Sequence, residues 1–295
     1  MASDIGWELY RSFLGVLQEG SLSAAARLLG ITQPTVGRHI DALEKALGVT
    51  LFTRSQLGLL PTEMALTLRT FAETMDSTAA SLERAASAHG LEARGVVRVS
   101  ASEVIGVEVL PPILARLRQD YPALKVELVL TSKVVDLLQL EADIAVRMLR
   151  PSQEQLLARR IGPIELGLHG HPDYLRRQGI PHTLDDLKQH SVIGYDRPSA
   201  FVRHASKSLP GFERRLFALH TDSDLAQLAL IRAGAGLGIC QVGLARREPG
   251  LQRVLGDSLS LSLDTWVTMH EDLRNSPRCR VTFDALVQGL LHYVA

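Results

Sequence analysis

Residues 20–48 read GSLSAAARLLGITQPTVGRHIDALEKALG, and this stretch decides the fold of the amino-terminal part of the chain. Its first half predicts a short helix over 24–29, which Ser21 or Ser23 caps and which ends before Gly30. Alanines dominate this helix, and their small side chains allow a neighbouring helix to pack closely. The stretch therefore begins with a compact helix and a tight turn.

The second half of the stretch predicts a longer helix that runs towards Leu47. Thr32 is its candidate N-cap, and Pro34 falls in the first turn, where a missing N–H does no harm. One face of this helix is apolar at helical spacing, with Val36, Ile40, Leu43 and Leu47. A helix over 5–18 precedes the stretch and carries apolar residues at four-residue steps, namely Leu9, Phe13 and Leu17. The order is helix, short turn, helix.

The outward face of the longer helix is a candidate nucleic-acid reader. Gln33, Thr35 and Arg38 lie near its amino-terminal half, where a recognition helix meets base edges. Arg38 has the donors to pair with a guanine or a phosphate. An amphipathic bundle whose outward charges are solvated explains the same periodicity, and periodicity alone favours it. The identities of the residues therefore have to decide.

These identities resemble those of the LysR-type family of bacterial transcription regulators. The resemblance is carried by GSLSAAA at 20–26, LLGITQPTV at 28–36, RHIDALE at 38–44 and LGVTLFTR at 47–54. It implies an all-α winged helix-turn-helix domain at 1–61. It also implies DNA contacts from Ser23, Gln33, Pro34, Thr35, Arg38 and, in the wing, Arg54.

A single long helix is predicted from Thr62 to about Ala88. Its seam residues alternate four and three apart, at Met64, Leu68, Phe71, Met75, Thr78, Leu82 and Ala85. About 27 residues at ~1.5 Å each span roughly 40 Å, which is long enough to pair with a second copy. A buried bundle helix has the same pattern, but the resemblance implies a linker and dimerisation helix at 62–89. His89 and Gly90 then mark a hinge.

Composition sets limits on the whole chain. Its 295 residues are 46% hydrophobic and 22% charged, as expected of an ordered protein with two or three compact units. Thirty-two basic and thirty-two acidic side chains give zero formal net charge, so any DNA affinity has to come from placement and dimerisation. The amino terminus lacks a signal pattern and no run is long enough for a bilayer, so we expect a cytoplasmic protein without membrane contact.

Beyond Arg94 the chain predicts an α/β architecture. Strands are predicted at 96–101, 126–130, 144–147, 238–242 and 265–270, and helices at 110–119, 134–140, 224–233 and 280–291. The resemblance implies a two-lobed α/β effector domain at 90–295, similar to periplasmic binding proteins. Lobe I then comprises about 95–165 and 268–295, and lobe II about 166–267. The last helix returns to lobe I.

Polar side chains stand where ligands bind in open α/β sheets, at the carboxyl ends of strands and beside helix amino termini. Ser100 and Ser102 follow the first strand, Thr131 follows the second, and Ser223 precedes the helix at 224–233. Ser and Thr are equally common as helix caps. The resemblance implies an effector pocket lined by such positions, which gives the candidates Ser100, Ser102, Thr131, His169, Phe201 and Ser223.

Three motifs that suggest other chemistry lack the context they need. GAGLG at 234–238 follows a helix and precedes a strand, which reverses the order of a dinucleotide-binding loop. His169 and His171 have no third metal ligand at a useful spacing. Asp185 and Asp186 have no nucleophile nearby and are typical of a helix amino terminus. We therefore expect no catalytic residue, no cofactor and no metal.

The resemblance also implies the partners of the protein. They are double-stranded DNA at a promoter with an inverted repeat, a small-molecule effector, further copies in a homodimer or homotetramer, and RNA polymerase as a further candidate. Two other classes stay open. One is an α/β ligand-binding protein or enzyme with an accessory helical domain, which ignores DNA. The other is a redox sensor that uses Cys240 and Cys279, although cytoplasmic thiols are more often inert packing groups.

Overall fold

A computed structural model describes residues 5–55, 58–86, 92–131, 142–151, 155–197, 213–247 and 250–295. The chain forms two compact units, residues 1–85 and residues 86–295, which are described in turn. The helix predicted at 134–140 and the hinge predicted at His89 and Gly90 lie outside the described residues.

The amino-terminal unit is a winged helix-turn-helix domain followed by a long helix. Its elements are α1 (Trp7–Glu19), α2 (Leu22–Leu29), α3 (Gln33–Leu47), β1 (Phe52–Ser55), β2 (Gly58–Pro61) and α4 (Glu63–Ala86). Strands β1 and β2 pair antiparallel and form the wing. The predicted winged helix-turn-helix is confirmed, but the wing makes the unit mainly helical rather than all-α.

One hydrophobic core holds the first three helices together. Phe13 of α1, Ala25 of α2 and Val36 of α3 are buried in the same cluster. Ile40 and Leu43 continue the buried face of α3, at the spacing that the sequence predicted. Because this face is packed, the opposite face of α3 is presented to solvent in a fixed orientation.

Helix α2 begins earlier than predicted because Ser21 is the residue that caps it. The Ser21 hydroxyl accepts a hydrogen bond from the Ala24 amide at 3.2 Å, whereas Ser23 is exposed in the first turn. A left-handed glycine at Gly30, with φ of 68°, ends the helix. This cap fixes the length of the turn between α2 and α3.

The carboxylate of Glu44 fastens the wing to α3. Its Oε1 atom accepts hydrogen bonds from the amides of Leu51 at 2.6 Å and Phe52 at 3.1 Å. On the other side of the wing, the Leu59 amide donates to the Gly20 carbonyl at 3.1 Å. The wing is therefore tied both to α3 and to the end of α1.

The second unit contains fourteen helices and strands in its described residues, besides short 3₁₀ turns and one π-helical turn. They are β3 (Gly95–Ala101), α5 (Leu110–Asp120), β4 (Leu124–Leu130), β5 (Ile144–Arg147), β6 (Leu156–Gly170), α6 (Pro172–Gln178), β7 (Val192–Gly194), β8 (Phe217–His220), α7 (Asp224–Arg232), β9 (Leu237–Gln241), α8 (Val242–Arg247), β10 (Gln252–Val254), β11 (Ser260–His270) and α9 (Pro277–Val294).

Nine strands of the described residues form one mixed sheet. Its order is β4-β3-β5-β11-β6-β9-β7-β8, and β10 pairs with β6 beside this path. Strand β3 runs parallel to β4 and β5, whereas β11 runs antiparallel to β5 and β6. The long strands β6 and β11 pair from Leu156 and His270 to Gly167 and Ser260, so they run through both halves of the sheet.

Separate hydrophobic cores lie on the two halves of the sheet. Val99 of β3 and Leu290 of α9 are buried in one core. Ile193 of β7 is buried with Leu228 and Ile231 of α7 in another. Helix α9 thus returns to the first half, and the two-lobed α/β fold is confirmed. The lobe boundaries near 165 and 267 stay predictions.

Replacing Glu44 with alanine is expected to loosen the wing without unfolding α3. The backbone amides of Leu51 and Phe52, both buried residues, lose their acceptor, which costs about 1–3 kcal/mol of local opening free energy. Hydrogen–deuterium exchange of the full chain should show faster exchange at residues 51–61. Asp41→Ala, an exposed change on the same helix, is the matched control. Equal exchange in both variants would show that Glu44 does not hold the wing.

Candidate functional site

The outward face of α3 carries the polar side chains that the sequence predicted. Gln33, Pro34 and Arg38 are exposed and Thr35 is half-buried. The hydroxyls of Thr32 and Thr35 lie 2.8 Å apart, and Arg38 Nη2 lies 3.4 Å from the Thr35 hydroxyl. The structure therefore brings four of the six predicted DNA contacts together on one helical turn and a half.

The charge on this face is available to a partner. Among the described residues, Arg38 makes no ion pair, and it stands near the positive end of the α3 helix dipole. The two remaining candidates, Ser23 in the first turn of α2 and Arg54 on β1, are both exposed. Such a surface can donate hydrogen bonds to phosphates and base edges.

Helix α4 exposes large apolar side chains on its predicted seam. Phe71 is 67% exposed and Leu82 is 65% exposed, and Met64 and Met75 are exposed as well. Ala65 and Ala72 of the same helix are buried against the winged domain. One side of α4 is thus packed, and the seam residue Leu68 is partly buried against the same core, whereas Met64, Phe71, Met75 and Leu82 are exposed within the described part of the unit.

In the second unit, the candidate Ser100 lies inside the protein rather than on its surface. Its side chain is fully buried, and its hydroxyl accepts a hydrogen bond from Arg147 Nη2 at 2.6 Å. Burial lowers the pKa of Arg147 to about 10. Ser100 therefore positions a half-buried guanidinium at the carboxyl end of β5. No local sequence pattern indicates Arg147, because its contact with Ser100 joins two different strands.

Two further candidates meet where β3 and β4 end. The strands run parallel with Ala101 opposite Leu130, and the Thr131 amide donates to the Ala101 carbonyl at 2.9 Å. Ser102 and Thr131 follow these paired residues and are half-buried. Their side chains therefore lie at neighbouring strand ends, the position where ligands bind in open α/β sheets.

Ser223 combines the two roles that the sequence left open. As the N-cap of α7, its hydroxyl accepts from the Ala226 amide at 3.3 Å. The same hydroxyl donates to Glu103 Oε2 at 2.9 Å. Because Glu103 follows Ser102 in the chain, this bond joins the segment after β3 to the amino terminus of α7. Sequence reasoning missed Glu103.

Other charged groups missed by the sequence surround α7. The Tyr195 hydroxyl donates to the Asp224 carboxylate, and burial raises the pKa of both groups. Arg232 binds Glu108 through two hydrogen bonds of 2.8 and 2.9 Å. The Arg232 hydrogen bond holds the pKa of the Glu108 carboxyl below its usual range.

His169 does not join this group. His169 is only 2% exposed, and its Nδ1 lies 2.9 Å from the Gly167 carbonyl and 3.3 Å from Cys240 Sγ. Burial lowers the pKa of His169. Phe201 lies outside the described residues. The geometry of His169 is that of a packing residue in the second half of the sheet.

The described residues offer little for the chemistry of other protein classes. No group of three His, Cys, Asp or Glu side chains among them could hold a metal ion. Cys240 and Cys279 are both buried, and they lie in different cores. Within the same residues, no helix combines the length and apolarity needed to span a bilayer.

Two protein-family models match the chain. Residues 7–66 match the "Bacterial regulatory helix-turn-helix protein, lysR family", and residues 90–291 match the "LysR substrate binding domain". A similar protein is an "HTH-type transcriptional regulator" of Xanthomonas campestris pv. campestris (strain 8004), 31% identical over 184 residues. That alignment covers 61% of this chain and 53% of the relative, so it spans about half the relative's length.

Solved structures resemble the whole described fold. CrgA, a LysR-type transcriptional regulator from Neisseria meningitidis, has 24% identity and a TM-score of 0.60, with 96% of this chain and 98% of that chain covered. Full-length CbnR in complex with its target DNA has 22% identity and a TM-score of 0.64, covering 96% and 99%. At these identities the likeness shows the fold alone.

Acidification is expected to destabilise the second unit through His169. Its pKa is lowered in the folded state, so the stability it contributes is present above the unfolded value of about 6.5 and is lost as the pH falls through the folded value. The pKa of His190 is lowered too and acts in the same direction. The melting temperature of His169→Gln should therefore depend less on pH than that of the parent protein.

Differential scanning calorimetry of the full chain between about pH 7.5 and 5.5 checks this expectation. His171→Gln is the matched control, because His171 is a partly exposed N-cap of α6. A parent-like pH dependence in His169→Gln would contradict the assignment of His169 as a buried neutral side chain.

Proposed function

Because this chain belongs to the LysR family of bacterial transcription regulators, we propose that it binds promoter DNA as a homo-oligomer in the cytoplasm and responds to a small-molecule effector. The observation that carries the proposal is the outward face of α3, whose polar residues stand on a helix fixed by its buried face. RNA polymerase is the partner through which such binding would alter transcription.

Recognition of the DNA base sequence is assigned to Gln33, Thr35 and Arg38 on α3. Arg38 can bind a guanine through two hydrogen bonds, and the Gln33 amide suits an adenine. Ser23 and Arg54 flank this face on α2 and the wing and are assigned to phosphates, which position a protein on DNA without reading sequence. Full-length CbnR, a protein with the same fold, binds target DNA in its solved complex.

Dimerisation is assigned to the exposed seam of α4. Phe71 and Leu82 are large apolar side chains whose exposure to water is unfavourable. Pairing two copies of the seam would bury them. A two-fold dimer presents two recognition helices, so its site is an inverted repeat. A homotetramer then forms from two such dimers.

The effector site is assigned to the segment after β3 and to the structures that it meets. Ser102, Thr131 and Ser223 supply hydroxyls there, and Arg147 supplies a guanidinium held by Ser100. These groups come from strand ends and from a helix terminus, which suits recognition of a small polar molecule. Ligand binding that favours one arrangement of the two lobes would change the geometry of the DNA-binding dimer.

An enzymatic α/β protein with a helical accessory domain is the alternative class. The curated relatives are named as transcriptional regulators rather than as enzymes. No observation on the described residues favours turnover of a ligand.

Arg38→Ala is expected to weaken binding to specific DNA by about 5- to 150-fold, because a bidentate base contact contributes about 1–3 kcal/mol of discrimination. The operator is first recovered by selecting genomic fragments with the purified parent protein near physiological salt. Fluorescence anisotropy then compares the affinities of parent and variant.

Lys45→Ala is the matched control, because Lys45 is an exposed cation in the last turn of the same helix. We expect it to lower affinity much less and to leave the preference for the recovered operator intact. If both variants lost affinity equally, α3 would contribute charge rather than sequence reading. If no fragment were enriched by the parent protein, the DNA-binding proposal would fail.

Phe71→Glu is expected to shift the protein towards monomer, with a dissociation constant raised about tenfold or more, because pairing would bury an unpaired charge. Sedimentation equilibrium of the full chain measures this shift. Thr70→Glu places the same charge on a neighbouring exposed position outside the seam and should leave the association unchanged. Identical behaviour of the two variants would remove the seam from the interface.

A further inference from the structure

The amino terminus of α7 is occupied by a carboxylate from a distant part of the chain. Glu103 Oε2 accepts from the Ser223 hydroxyl at 2.9 Å and from the Leu225 amide at 3.4 Å. Ser223 in turn accepts from the Ala226 amide at 3.3 Å. Two amides of the first turn, which have no partner within the helix, are therefore served by one hydroxyl and one carboxylate.

This contact joins two hydrophobic cores. Glu103 lies in the segment that directly follows β3. Val99 of β3 is buried in the first core, whereas Ile231 of α7 is buried in a different core. A second tie joins the same two parts, because Glu108 binds Arg232 near the other end of α7 at 2.8 and 2.9 Å. Two carboxylates of one short segment thus hold both ends of α7.

A π-helical turn places both carboxylates on one side. The turn covers Ile105–Val109, and the Leu110 amide donates to the Ile105 carbonyl five residues earlier. In an α-helix, residues three and four apart share a face and residues five apart diverge. The wider turn lets Glu103 and Glu108, which are five apart, both reach α7. Such turns recur at functional sites.

We propose that Glu103 is a specificity-determining residue of the effector cleft, because its carboxylate fills the anion-binding end of α7 and excludes acidic groups of an effector from this wall. This inference rests on the proposed effector site. A helix amino terminus with a capping serine attracts anions, and here the protein supplies its own. Asp224, in the first turn, adds further carboxylate at this end of the helix. An effector is then expected to present hydroxyl, amide or amine donors here.

The experiment compares the effects of acetate and chloride on the melting temperature of a Glu103 variant. Glu103→Ala in the full chain should lower the melting temperature by about 3 °C or more, because α7 loses a charged acceptor. Sodium acetate in the tens of millimolar should restore most of that loss, since acetate fits the vacated position, whereas sodium chloride of equal ionic strength should not. The parent protein should show no acetate-specific shift.

Glu127→Ala is the matched control, because Glu127 forms an exposed ion pair with Arg98 at 3.0 Å and does not touch α7. It should show no acetate rescue. An acetate-specific shift in the parent protein, or none in Glu103→Ala, would overturn the proposal. Operator affinity of the parent protein is measured separately, and its absence would count against the regulator function and not against Glu103.

Should Glu103→Ala fail to fold, a double-mutant cycle with Glu103→Gln and Ser223→Ala answers the same question. The melting-temperature shifts of the two single variants should not add in the double variant, because both changes remove the same charged hydrogen bond. Strictly additive shifts would show that Glu103 does not interact with α7 and would overturn the proposal.

Discussion

The second unit depends on the antiparallel pairing of β6 with β11. In the sheet, β11 also pairs with β5, and β6 also pairs with β9. The two halves of the sheet therefore lie on opposite sides of this central pair of strands. Its register shifts once, between Thr265 and Trp266, opposite Gly162, whose φ of 140° only glycine adopts easily. Because the ladder continues past this bulge, the two cores are held side by side, and residues far apart in sequence can meet between them.

Local signals explain which parts of the fold the sequence predicted well. Val36, Ile40 and Leu43 are buried because residues at this spacing lie on the same face of a helix, and that face of α3 packs against the core. The strand predicted at 144–147 matches β5 to the residue, because a short apolar run between polar segments has few other structures open to it. The caps follow the same logic, since the amides at a helix start need an acceptor close by in sequence.

Long-range contacts explain what the sequence could not supply. Strand β11 begins at Ser260 rather than at 265, because alternating residues become a strand only when β6 lies beside them. Ser100 was predicted to face a ligand, but pairing of β3 with β5 turns its hydroxyl towards Arg147. Glu103 and Ser223 are 120 residues apart, and no local pattern links a carboxylate to a cap at that distance. The helix-turn-helix was predictable because its signals lie within a short stretch of sequence. The contacts around α7 were not, because they join residues far apart in sequence.

Zero net charge is compatible with DNA binding because affinity depends on where the charges stand, and some carboxylates here bind backbone amides. Glu44 accepts from two amides of the wing, and Asp143 accepts from the Arg98 amide at 2.7 Å. In the first unit, Glu44 is used to hold the wing, while the outward face of α3 carries a cation. Arg38 stands on that face with no ion pair among the described residues. The sum of charges is therefore uninformative about the partner, whereas the position of each charge is decisive.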